Sequence, residues 1–98
     1  MISMNTYNRD MMLIRMEHRA RRLTAIDEVC HYYKTGGKER AFKFYMAFFD
    51  GDLTFEEERN LIKGIWTDDI AMIENACKDI NRTAWKTIRD VRGRIRGN

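Results

Sequence analysis

Apolar side chains recur with helical spacing in the last third of the chain. At about 100° per residue, Ile70, Ile73, Cys77, Ile80, Ala84, Ile88, Val91 and Ile95 fall within an arc of about 80°. That spacing predicts a long helix over 67–96 with a single core face, started by Thr67, Asp68 and Asp69. Nearly opposite the arc stand Lys78, Arg82, Trp85, Lys86, Arg89, Arg92 and Arg96, a basic stripe with one large aromatic set in it.

The N-terminal third carries a second long pattern. Asn5 or Thr6 can cap a helix, no breaker intervenes from Tyr7 to Tyr33, and Thr35, Gly36 and Gly37 suit a left-handed end, so a helix over 5–34 is predicted. Its main arc holds Met11, Met12, Met16, Ala20, Leu23, Ile26, Cys30 and Tyr33. A second strip of Tyr7, Ile14, Ala25 and Tyr32 lies on another side, and a helix apolar on two sides points to a homodimer formed through this first helix. Arg15, Arg19 and Arg22 flank the main arc. Their long stems can cover apolar surface, or they can form a second basic patch beside the C-terminal stripe.

Between the two long patterns, residues 38–49 include Phe42, Phe44, Tyr45, Met46, Phe48 and Phe49 and are apolar nearly all round. Alternation would also suit a strand, but no partner strand is evident, so a short core helix is predicted. In the following DGDLTFEEE, Gly51 and Glu57 stand as in a calcium-binding EF-hand loop. Met46 and Phe48 then occupy the first two ligand positions, and the ligand count fails. A turn at Asp50 and Gly51, then a capping box of Thr54 with Glu57, accounts for the segment and starts a third helix over 54–63, which Gly64 loosens. The expected fold is therefore all-α: one domain over 1–98, a small bundle of four helices. The long first and last helices pack on each other, and the two short ones close one end.

Composition sharpens this picture in three places. The chain has 98 residues, 44% of them hydrophobic and 34% charged, with no proline, which fits a small soluble helical domain and excludes disorder as the main state. No apolar run is long enough for a signal peptide or a membrane span, so a cytoplasmic, membrane-free protein is expected. Net charge is only +3 but is unevenly placed. From residue 82 onward six basic side chains face one acid, Asp90, whereas over 50–69 seven acids outnumber Arg59 and Lys63.

Candidates for chemistry are few. His18 and His31 are 13 residues apart, Ser3 is the only serine, and Glu56, Glu57 and Glu58 fan over different faces of a helix, so no catalytic residue is assigned and a non-enzyme is expected. Cys30 and Cys77 lack metal-ligand spacing and read as buried thiols; no metal or cofactor is expected. The basic stripe has an ordinary explanation, since late cations complement the helix dipole and Glu74 can pair with Lys78. Its length, its arginines and an exposed tryptophan among them favour a binding face instead. The expected partner is nucleic acid, held through phosphates with Trp85 against a base or sugar, with an acidic protein surface as the alternative. In the alternative, this is a small accessory protein of the kind phages and mobile elements encode, inhibiting or modulating a host complex through the same face. Reversing Arg82, Arg89 and Arg92 to Glu is expected to abolish binding without unfolding the chain.

Overall fold

The computed structural model describes the backbone of residues 4–96 and the side chains of residues 8–94. The helices are α1 (Met4–Leu23), α2 (Asp27–Phe48), α3 (Phe55–Trp66) and α4 (Ile70–Arg96), and no strand occurs among the described residues. The all-helical expectation is met. The expected division into two long outer helices and two short inner ones is met only in part: α4, with 27 residues, is long and α3, with 12, is short, but the long first helix is broken, α1 having 20 residues, and the 22 residues of α2 are bent within themselves.

The expected 5–34 helix is cut at residues 24–26. There the amides of Thr24, Ala25 and Ile26 donate to the carbonyls of Arg21, Arg22 and Leu23, the tighter i to i−3 pattern, and the Thr24 hydroxyl donates to the Arg21 carbonyl at 2.7 Å. The Asn81 amide on α4 donates to the Thr24 carbonyl at 2.7 Å, satisfying an acceptor that the break exposes. Asp27 and Glu28 then occupy the first turn of α2, where the helix dipole favours acids.

Residues 35 and 36 do not end that helix, which runs on until Gly37 reverses it with φ 82° and ψ −177°, a conformation reserved for glycine. Tyr32 and Phe44 would lie about 18 Å apart along a straight helix. Their ring centroids are 4.4 Å apart. So α2 is a hairpin with limbs over 27–36 and 38–48, and the expected short aromatic helix is its second limb.

The capping box at Thr54 and Glu57 forms as expected, with the Thr54 amide donating to Glu57 Oε1 at 2.9 Å and the Glu57 amide to Thr54 Oγ1 at 3.2 Å. Gly64 does not loosen α3. It is buried, and a Cβ there would lie 3.0 Å from Ile73 Cγ1 and 3.1 Å from the Ile73 backbone nitrogen, so glycine is what lets α3 and α4 approach. Thr67 ends α3 rather than starting α4. Asp68 takes the left-handed position at φ 54°, and the Asp69 amide donates to the Gly64 carbonyl at 2.9 Å, closing a Schellman turn. Asp69 then caps α4, accepting from the Met72 amide at 3.1 Å.

Helix α4 is the spine. It runs antiparallel to α1 and to the first limb of α2 in succession, with links from Arg92 to Glu17, Asn81 to Thr24, Cys77 to Ile26, and Glu74 to Lys34. The expected pairing of the N- and C-terminal helical patterns thus holds, across a break that the pattern did not show. The second limb of α2 and α3 pack at the α4 N-terminal half, around Ile26, Tyr45, Leu61, Ile65, Ile73 and Ile80, all essentially inaccessible. At the other end α1 packs on α4 alone, across Leu13 and Val91. The result is a head with a two-helix arm, 54 × 20 × 20 Å overall.

On α4 the expected core face is the observed one from Ile73 to Val91, while Ile70 is partly exposed and the Ile95 side chain lies outside the described residues. On α1 the arc is rotated. Leu13 is buried and Met12 is 63% exposed. The second strip proposed for dimerisation is spread over two helices, with Ile14 on α1, Ala25 in the break, and Tyr32 on α2 partly buried against the core. Tyr7, like the caps Asn5 and Thr6, has its side chain outside the described residues. No helix among the described residues is long and apolar enough to cross a membrane.

Candidate nucleic-acid interface

The outward side of α4 is fixed by its inward side: once Ile73, Cys77, Ile80, Ala84, Ile88 and Val91 are buried, residues about half a turn away face solvent. Lys78, Arg82, Trp85, Lys86, Arg89 and Arg92 are all exposed, and Trp85 keeps 49% of its surface accessible with no ring stacked on it. The Arg96 side chain lies outside the described residues.

Ion pairing divides these cations into two groups. Arg82 Nη2 is 2.6 Å from Asp79 Oδ1, and Arg92 Nε donates to Glu17 Oε1 at 3.1 Å, tying the arm helices together. The hydrogen bond from Arg92 and the charge of Arg21 hold the Glu17 carboxyl below its usual 4.5. Lys78, Lys86 and Arg89 have no counter-ion among the described residues. The expected Glu74 to Lys78 pair is not made, because Glu74 Oε1 sits 3.3 Å from Lys34 Nζ across the helix interface, and Lys78 is left available.

The second basic patch divides in the same way. Arg22 makes a two-point contact with Asp52, at 3.1 and 2.9 Å, locking the end of α1 to the connection between α2 and α3. That side chain is structural. Arg15 and Arg19 are exposed and have no ion-pair partner among the described residues; Arg19 borders a cleft that also takes in Thr83 and Thr87 of α4, which places it beside the arm's second helix. These pairings across helices had no signature in local spacing. The one exception is Arg92, which lies nearer the core arc than the rest of the stripe and so within reach of α1.

Both thiols are buried, as the pattern indicated. They border a groove of about 410 Å³ with His31, Lys34, Glu74 and Lys78. Burial pushes the Cys30 thiol up and the Cys77 thiol up to about 12, and Cys77 Sγ donates to the Ile26 carbonyl at 3.5 Å. Both are therefore protonated near neutrality, the opposite of an activated nucleophile. Among the described residues no group of three or more His, Cys, Asp and Glu is placed to hold a metal ion.

No protein-family model, curated protein or solved structure matches this chain.

Proposed function

We propose that this protein is a non-catalytic binding module that lays the exposed basic face of α4 on a polyanion, nucleic acid in the first place. The observation that carries the reading is Trp85, half exposed between Arg82, Lys86 and Arg89 on a helix whose other face is fully committed to the core. A cation stripe alone would suit any anion. A tryptophan held among cations adds an aromatic platform on which a base can stack, as in single-strand binding surfaces. Lys78, Lys86 and Arg89, free of counter-ions, are the phosphate contacts, with Arg15 and Arg19 on α1 as a supplement.

The test is a mobility-shift titration with single- and double-stranded DNA and RNA. Three free cations imply a single-strand affinity that falls with salt at a log–log slope of about −2. The triple substitution Lys78→Glu, Lys86→Glu, Arg89→Glu is expected to abolish the shift and leave the helical dichroism unchanged. The set Arg82, Arg89 and Arg92 is less clean than the sequence implied, because Arg92→Glu would also place a carboxylate against Glu17 and weaken the arm. Absence of any shift at micromolar protein, with one stoichiometric protein retained in a nuclease-treated affinity capture, would move the target to an acidic protein surface.

A further inference from the structure

Helix α3 carries a second solvent-facing surface, on the head and independent of the basic face. Its inward residues Leu61, Gly64 and Ile65 are buried and Ile62 packs partly against the core, so Phe55, Arg59 and Trp66 share its outer side, with Glu56 and Lys63 along one edge of it. Phe55 is 81% exposed and touches no other ring; Trp66 is 44% exposed and lies 5.3 Å from Phe42 on α2, where Met46 is 42% exposed. Three exposed large apolar side chains, Phe55, Trp66 and Met46, in this part of a 98-residue protein make a patch of the kind that associates. Glu56, Arg59 and Lys63 have no ion-pair partner among the described residues.

The order of these residues selects the occupant. Phe55 and Trp66 stand near opposite ends of α3, about 16 Å apart, and Glu56 and Lys63 stand inside them on one edge. The two pairs have midpoints within one residue of each other, next to Asn60. When two copies of α3 are laid face to face and antiparallel about a two-fold axis through that point, Phe55 meets Trp66 of the other copy. Glu56 then meets Lys63 on the same edge, twice over. The aromatic ends and the charged edge are therefore each complementary to themselves, as an isologous interface requires, while Arg59 lies near the axis opposite its own copy and must turn its guanidinium to the rim. Phe55, Trp66 and Met46 together expose on the order of 300 Å² per copy, so two copies offer about 600 Å² of apolar surface besides the polar rim, the scale of a weak interface.

We propose that the outer face of α3 is the self-association surface of this protein, forming a two-fold dimer. It replaces the first-helix strip, which the break at residues 24–26 divides.

Sedimentation equilibrium on the intact chain, from about 1 to 200 micromolar, tests this. The expected result is a monomer–dimer equilibrium with a Kd on the order of 10 micromolar. Phe55→Glu, at an exposed first-turn position where an acid suits the helix, should leave a monomer throughout with unchanged dichroism and melting. Glu56→Lys and Lys63→Glu, each placing like charges opposite each other twice, should weaken dimerisation about fivefold or more, and the two together should restore it to within about twofold. A wild-type chain that is monomeric over the whole range, association indifferent to Phe55→Glu, or a double charge swap that fails to restore it would each overturn the proposal.

Discussion

At the residue scale, two buried positions make opposite predictions. Gly64 faces α4 with Ile73 backbone and side-chain atoms where a Cβ would stand, so Gly64→Ala must push the helices apart and is expected to cost about 1–3 kcal/mol in urea unfolding. The same substitution on an exposed helix would gain stability, so a stabilised Gly64→Ala would contradict the close approach. Tyr45 is the reverse case. Its ring is fully buried and its hydroxyl makes no hydrogen bond of good geometry, while burial, then the nearby charge of Glu58, push the phenol pKa up. Tyr45→Phe removes the unsatisfied oxygen and keeps the ring, and is expected to hold or raise stability by about 1 kcal/mol. A loss of similar size would mean that the hydroxyl is satisfied in solution. Neither position was legible in the sequence: glycine in a helix and tyrosine in an aromatic run have several readings until their neighbours are known.

At the element scale, what could be read was periodicity and capping, and what could not was interruption without a breaker. The inward face of α4 and the Thr54 capping box were legible because each depends on residues within a few positions of one another. The break at 24–26 contains neither Gly nor Pro; it is held by Asn81, 57 residues away, and by the need to bury Ile26. Gly37 was read as part of a stop signal, and it is where the first limb of α2 ends; that the second limb folds back on the first was not in the pattern. The turn joining α3 to α4 is fastened to α2 through one carboxylate: the Tyr33 hydroxyl donates to Asp68 Oδ1 at 2.9 Å, and Lys38 Nζ lies 3.4 Å from Oδ2. The Tyr33 hydrogen bond, then the charge of Lys38, hold the Asp68 carboxyl below its usual 3.8. A carboxyl whose folded pKa is depressed contributes stability that is complete above its unfolded pKa and is lost as pH falls through the folded value. Glu17 has the same sign. Melting temperature should thus be level above about pH 5 and fall on acidification below about pH 4, less steeply in Asp68→Asn, which starts lower. An Asp68→Asn chain with the wild-type profile would remove this carboxylate from the account.

At the scale of the whole molecule, charge is separated along a 54 Å body: the head presents the acids of residues 50–69, the arm and outer α4 the cations. The basic stripe was visible from composition and wheel position. Its division was visible only in part: Asp79 stands three residues before Arg82, but the carboxylates that engage Arg22 and Arg92, and the lysine that takes Glu74 from Lys78, lie on other elements. What remains is a compact set, Lys78, Lys86 and Arg89 around Trp85. The most direct measurement of the central claim is Trp85 fluorescence in a Trp66→Phe background, titrated with a single-stranded oligonucleotide and separately with heparin of matched charge. Saturable quenching by the oligonucleotide, weak response to heparin, and loss of both binding and quenching in the Lys78→Glu, Lys86→Glu, Arg89→Glu chain are expected. Equal responses to the two polyanions, or none to the oligonucleotide at micromolar protein, would contradict a base-stacking nucleic-acid face.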